Sequence, residues 1–421
     1  MKVLWFGNSY ITQVSDIDSR FGTSGISWIS SIVDDLLVSY DIEIVYAFPQ
    51  SEMREIMTGS KGNFSFYGLY KKKAAPWKHD VKFREESFKL INEIHPDIIQ
   101  VWGTEYAHSL DFYEAVEQAG MADKTIIYIQ GLVSFLGEKY YASLPLKVCA
   151  RWTFRDFVRQ DNIAQQRKKF LKRGKNEIEL LKKAKNVAGR TLLDYAHVKQ
   201  INFGINYYNY NESMRESFFK KQWSYEKCEK NSIFITQGYY PIKGLHFLVK
   251  AVGTLKQSGV NVRVYVAGLS CLHSGINLLR EPSYGRYIRK LMIKNNVVDN
   301  FEFLGVLTAD QVADRLEKAN LFVMPSAMEN SPNSLAEALV VGTPVVAAYS
   351  GGIPDMVQNG INGLTYQHDD DVVLASCILR LLSDPQLCTG LSEEGRNKAR
   401  TNYAALNNNK KLYSIYEELS R

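Results

Sequence analysis

The stretch MENSPNSLAEALVVGTPVVAAYSGGIPD, residues 328–355, places two carboxylates, Glu329 and Glu337, eight positions apart on either side of a Ser-Pro-Asn-Ser turn. Paired acids suggest general acid/base work, but their setting points elsewhere. The run LFVMPS before them reads as a strand and SLAEALVVG as a helix, so the turn is a strand-to-helix crossing. Ser331 suits the helix cap and Pro332 the first helical position, followed by Asn333, Ser334 and Leu335. The N–H groups of Ser334 and Leu335 are then unpaired at the positive end of the helix dipole, a place for phosphate. Glu337 follows Asn333 by four residues on the same helix face. An acid there can accept hydrogen bonds from a ribose diol, as acids do in dinucleotide folds. Glu329, still in the loop, would reach the group beyond the phosphates. Taken alone, Glu329 reads equally as a loop charge and Glu337 as a first-turn dipole partner.

A second candidate lies in ITQGYYPIKGLHFLVKAV, which ends a strand at Gln237 and Gly238 and presents Lys243 and Gly244 at the next helix. A lysine at a helix N-terminus opposes the dipole and gains a reason if an anion sits there. A surface lysine is the plain alternative.

The elements that must position these groups repeat a rhythm. In the first half KVLWFG, IEIVYAF, DIIQVWG and TIIYIQG alternate with helix-period segments, and from residue 231 SIFITQG, VRVYVAG, FEFLG, LFVMPS, PVVAAY and LTY do the same. Strand and helix at these lengths give parallel sheets covered on both faces. The chain therefore reads as two tandem doubly wound α/β domains, residues 1–205 and 206–400, with a polar C-terminal helix, 401–421, crossing back to the first. Ligands in such sheets bind at the C-terminal ends of strands. That rule selects Gly7 and Asn8, residues 102–108, Gln130 and Gly131, residues 237–243, Gly268, Gly305, residues 326–329 and residues 350–352.

Length and composition fit this picture. The 421 residues exceed one ordinary core, and 45% hydrophobic with 23% charged residues is ordinary globular usage. No apolar run approaches the roughly 20 residues of a membrane span. MKVLWFG reads as a first strand rather than a signal peptide. The five cysteines show no close pairing, so neither a disulfide framework nor a zinc site is expected, and a cytoplasmic location is the default. The net charge of +6 arises in one segment: residues 151–185 hold twelve Lys or Arg against four Asp or Glu. Such a surface favours anionic partners, although a solvated helix face explains it equally well.

From SIFITQGYYPIKGL through VRVYVAG to FEFLGVLTADQVADRLEKANLFVMPSAMENSPNSLAEALVVGTPVVAAYSGGIPDMVQNGINGLTY, the sequence resembles the retaining glycosyltransferases of family 4, also called group 1, with the two-domain GT-B fold. The resemblance implies two Rossmann-like domains facing a central cleft. It also implies transfer of a sugar from a nucleoside diphosphate donor, a UDP- or GDP-sugar, with retention and without a metal or other cofactor. Glu329 would lie near the donor sugar and Glu337 would bind the ribose. The amides of Asn333, Ser334 and Leu335 would hold the diphosphate, and Gly305 would help seat the base.

The sequence departs from the family pattern at several points. Gly238 is followed by Tyr239 where the family has arginine, leaving Lys243 as the main cation on the diphosphate, with Arg190 as a candidate substitute. On the acceptor side Gln130 stands where the family often has histidine, His108 is the alternative, and the family's Gly-Gly loop is reduced to Ser24 and Gly25. The expected acceptor is a saccharide or lipid-linked saccharide of a surface polysaccharide or glycan. Aromatic and basic residues in 64–83 and the basic segment 151–185 suggest peripheral docking on an anionic inner membrane face. Competing readings are an epimerase or hydrolase of sugar nucleotides on the same frame, and a non-catalytic nucleic-acid binder. The second is disfavoured because strand ends lack stacking platforms. A dinucleotide oxidoreductase is weaker still, since FGNSYITQV has no glycine fingerprint.

Overall fold

Strand segments such as Ile98–Trp102 and Ala319–Met324 are buried at every position, as expected for parallel strands covered on both faces. A computed structural model describes residues 1–22, 27–273 and 275–421. It divides into two compact units, one of Met1–Phe135, Phe170–Ser213 and Tyr403–Arg421, the other of Leu136–Lys169 and Met214–Asn402.

The first unit holds strands β1 (Lys2–Phe6), β2 (Glu43–Gln50), β3 (Met57–Lys61), β4 (Phe64–Tyr70), β5 (Ile98–Trp102), β6 (Thr125–Tyr128), β7 (Asn186–Gly189) and β8 (Asn206–Asn209). Their order across the sheet is β3-β4-β2-β1-β5-β6-β7-β8, parallel except for the β3–β4 hairpin. Successive side chains alternate faces. Trp5 thus joins Trp102 and Tyr128 in one core layer, while Leu4 and Phe6 join Ile99 and Val101 in the other. The C-terminal helix Ala405–Ser420 belongs to this unit: Tyr413 stacks on Tyr40 at 4.0 Å, and the Tyr416 hydroxyl donates to Gln100 Oε1.

The second unit holds β9 (Glu229–Ile235), β10 (Arg263–Ala267), β11 (Phe301–Gly305), β12 (Ala319–Met324), β13 (Val345–Tyr349) and β14 (Leu364–Gln367), all parallel, in the order β11-β10-β9-β12-β13-β14. The chain builds outward from β9 in one direction and then from β12 in the other, so the strand order reverses between them. That is where a doubly wound sheet opens a crevice for ligands.

Two sequence expectations are revised here. The division differs from 1–205, 206–400 and 401–421 chiefly because residues 136–169 pack with the second unit. Ala142 O accepts from His246 Nε2 at 2.9 Å, and Asp156 Oδ2 accepts from Ser283 N at 2.9 Å. Of the aromatics of residues 64–83, Phe64, Phe66 and Phe83 are buried, whereas Tyr67, Tyr70 and Trp77 are half-buried. Strand β4 and the helix Val81–Ile94 take the three phenylalanines into the core, which leaves Tyr67, Tyr70 and Trp77 as the aromatics of this segment with partial exposure.

Candidate functional site

The site grows from the two loops at the strand-order reversal of the second unit. After β9 the chain makes a short turn, Pro241–Lys243, and Gly244 caps the helix Leu245–Gln257 at φ +71°. A Cβ at Gly244 would overlap the Pro325 carbonyl oxygen, so glycine is needed for both its dihedral and its contact. The loop after β12 is stitched to this turn by Ala327 N donating to Ile242 O at 2.8 Å. The Gly-Gly after β13 pins the same loop from the other side. Gly352 N donates to Glu329 O at 2.9 Å, and Gly351, at φ +58°, lies so close to that oxygen that any Cβ would collide with it.

These contacts bring Lys243 Nζ to 2.6 Å from Glu329 Oε1, with side chains only 17% and 12% exposed. Burial opposes the ammonium charge. Glu329 and Tyr240 outweigh it and hold the Lys243 pKa above the ordinary lysine value. The lysine therefore carries full positive charge beside the loop.

The adjoining helix runs Asn333–Val341 and ends at Gly342, φ +88°. It starts one residue later than the sequence suggests. Pro332 is the cap residue and Ser331 does not cap; its hydroxyl lies against the Met356 sulfur at 3.8 Å. The Leu335 N–H is not open either, since it donates to Pro332 O at 3.0 Å. Among the described residues the Ser334 N–H keeps no protein acceptor, so the anion-binding end of this helix rests on Ser334 rather than on a Ser334–Leu335 pair. Asn333 is the first helical residue and makes contacts of its own.

Glu337 is buried and its Oε1 accepts from Arg215 Nη2 at 2.7 Å. Burial raises its pKa and Arg215 lowers it, with burial the stronger. Arg215 had no signal in the sequence, because it caps a four-residue helix, Glu216–Phe219, inside a stretch without periodicity. Gly305 closes β11 at φ +74° with open space where a side chain would stand, whereas Gly238 is kept small by Leu245.

In the first unit the strand order reverses at β1 and β5, and Asn8 links their two loops. Its Oδ1 faces His108 Nε2 at 2.8 Å and its Nδ2 donates to Glu105 Oε2 at 3.1 Å. His108 is not a loop residue; it opens the helix Ala107–Gln118 and is buried, stacked against Tyr106. Burial pushes its pKa down to about 3, helped by Lys71 and Arg173, so the ring is neutral. Burial, with Glu177, pushes Glu105 up to about 7 against the opposing pull of its own amide, Arg173 and Asn8. Gln130 follows β6, and its carbonyl oxygen lies 3.5 Å from Arg190 Nη2.

Arg190, the candidate substitute cation, is engaged within the first unit. Its Nη1 pairs with Glu212 Oε2 at 3.0 Å within the first unit, and the two side chains are 5% and 2% exposed. Burial lowers its pKa and Glu212 more than restores it, so its charge is committed internally. Ser24 and Gly25 lie outside the described residues. No cluster of metal-ligating side chains is present among the described residues.

Two doubly wound units, the second with a lysine, a carboxylate and a free helix amide at its strand-order reversal, define a protein of the GT-B fold class. Residues 217–398 match the family model of the glycosyl transferases group 1. Similar proteins include WcaL of Salmonella typhimurium, named for colanic acid biosynthesis, 31% identical over 32% of this chain and 32% of that one. AmsK of Erwinia amylovora, an amylovoran biosynthesis glycosyltransferase, is 26% identical over 33% of each. The aligned stretch spans about a third of either relative. The whole fold is shared with sucrose-phosphate synthase of Thermosynechococcus elongatus, TM-score 0.73 at 15% identity over 100% of this chain and 99% of that one. It is also shared with Anabaena HepE solved with UDP-glucose, TM-score 0.66 at 14% identity over 99% and 100%.

Proposed function

We propose that this protein is a retaining, metal-independent glycosyltransferase that moves a sugar from a UDP- or GDP-sugar to a saccharide or lipid-linked saccharide acceptor in glycan biosynthesis. The Lys243–Glu329 pair, with the Ser334 amide at the start of the helix that follows the same loop, carries this reading. The reaction must stabilise negative charge developing on a diphosphate leaving group. Lys243 provides a fixed charge and Ser334 N–H an oriented donor, both at the positive end of a helix. Glu329 would then be freed toward the donor sugar, and the second oxygen of Glu337, which Arg215 leaves open, would accept from the ribose. The departing phosphate would take the acceptor's proton, so no carboxylate need act as a covalent nucleophile. HepE, solved with UDP-glucose, supports the donor class, and the names of WcaL and AmsK support the polysaccharide context.

Thermal melts with UDP, GDP and their sugars, with and without EDTA, test the donor. A ligand at a hundredfold excess over its Kd stabilises the fold by about 2.7 kcal/mol. The expected result is a shift with one nucleotide class, unchanged by EDTA. No shift with any of them would overturn the reading, and turnover of the donor without an acceptor would favour an epimerase or hydrolase.

A further inference from the structure

The second unit carries a surface that the donor site does not use. Within residues 146–158, Leu146, Trp152, Phe154, Phe157 and Val158 are 73%, 40%, 62%, 66% and 64% exposed. Single exposed apolar side chains are ordinary, but five in one short segment mark a surface that meets something apolar.

The projection is held rigidly. Thr153 and Asp156 form a capping box on the helix Phe154–Arg159, and Asp156 Oδ2 also takes the Ser283 N–H at 2.9 Å, tying this helix to the start of the helix Ser283–Lys294. Asp156 and Asp161, the acids of this stretch, are both engaged by Arg155 at 3.0 and 3.3 Å. The acids are spent internally. The cations are not: Lys147, Arg151, Lys290 and Lys294 line a groove of about 720 Å³ with Tyr287, and none has an ion-pair partner among the described residues.

We propose that this face docks on an anionic phospholipid bilayer. Phe154, Phe157 and Val158 enter the boundary between headgroups and acyl chains, and the four cations of the groove take lipid phosphates. Apolar anchors on the segment that also gives Lys147 and Arg151 to the groove match that interface, where neither signal alone holds a protein firmly. A second copy fits worse, because a two-fold contact would set the four cations against themselves. No single helix among the described residues is long and apolar enough to cross a membrane. The docking face is thus placed around the start of the basic segment. It does not rest on the donor reading, since vesicle binding needs no nucleotide, and each can fail alone.

The test is co-sedimentation of the full chain with phosphatidylcholine vesicles and with phosphatidylcholine–phosphatidylglycerol vesicles. The wild type is compared with Phe154→Ser/Phe157→Ser and Lys290→Glu/Lys294→Glu. All four side chains face solvent, and unchanged melting temperatures would verify that the variants fold. Wild type should prefer anionic vesicles, the phenylalanine variant should lose binding to both, and the lysine variant, which reverses each charge, should lose more than roughly fivefold in partitioning per site. Wild-type binding to neither vesicle, or variants that bind like wild type, would overturn the proposal. So would a dimer seen by light scattering that the phenylalanine variant dissociates without any vesicle binding, or retention on nucleic acid alone.

Discussion

Lys243 Nζ and Glu329 Oε1, 2.6 Å apart, join the loops that follow β9 and β12, two strands adjacent in the sheet but far apart in sequence. Their charges neutralise each other where little water reaches them. A diphosphate would compete with Glu329 for the ammonium. Lys243→Ala should therefore lower the transfer rate by roughly a hundred- to a thousandfold, the cost of losing one preorganised group on developing charge. It should cost on the order of 1–3 kcal/mol in stability, less than a fully buried pair because both side chains retain some exposure. Transfer assays and melts on the same preparation check this, and activity near wild type would remove Lys243 from the mechanism.

Glu329→Gln separates the two partners. It leaves Lys243 without its competing carboxylate, so the nucleoside diphosphate should bind at least as tightly as in wild type while sugar transfer falls. Calorimetric titration with the nucleotide, set beside the turnover rate, reads both. Parallel loss of binding and turnover would mean that Glu329 mainly holds the loop in place.

Glu337 gives one carboxylate oxygen to Arg215, and on the proposed reading the other accepts from the ribose. Glu337→Gln keeps its volume and removes the charge, which should weaken nucleotide binding by about 1.5–3 kcal/mol, the worth of hydrogen bonds to a charged group. The sharper readout is sugar discrimination. Wild type should prefer the ribonucleotide to its 2′,3′-dideoxy form, and the variant should show little preference. Discrimination preserved in the variant would leave Glu337 as a partner of Arg215 alone.

Much of this frame was legible because it is local. The strand runs, the Glu329–Glu337 spacing and the helix end at Gly342 follow from period, turn chemistry and positive φ. What escaped is tertiary. The choice of Pro332 over Ser331 as cap turns on a contact between Ser331 and Met356, twenty-five residues on. The Arg215–Glu337 and Arg190–Glu212 pairs depend on which carboxylate each guanidinium meets after folding. Residues 136–169 read as part of the first unit because they precede β7 and β8, yet hydrogen bonds to His246 and Ser283 place them in the second. Proximity in sequence was the wrong guide there.

The pH dependence of stability should carry the imprint of two buried histidines. His246 donates through Nε2 to Ala142 O at 2.9 Å and faces the Tyr284 hydroxyl at 3.1 Å through Nδ1. Burial pushes its pKa from 6.5 down to about 3, as it does for His108. Between those values the unfolded chain binds protons that the folded chain refuses, so stability rises with pH through this window and falls on acidification. Each histidine should contribute about 1.4 kcal/mol per pH unit at full slope. Denaturant melts between pH 7.5 and pH 4.5, values chosen to bracket about the upper half of that window, should show His246→Gln with a flatter profile than wild type. An unchanged slope would mean that the ring titrates in the folded state.

Arg190 offers the clearest separation of a structural from a donor-binding cation. Its guanidinium is buried against Glu212, and removing one member of a buried pair leaves the other charged and unsatisfied. Arg190→Ala should destabilise the protein by about 3–5 kcal/mol. Replacing both partners, as Arg190→Met/Glu212→Leu, should recover most of that loss, because an apolar pair has no charge to solvate. If the cation acts only within the first unit, the double variant should retain the nucleotide-induced thermal shift of wild type. If Arg190 substituted for the arginine missing at Tyr239, the double variant would regain stability but lose that shift, and the single variant would show weaker nucleotide binding even at temperatures where it remains folded.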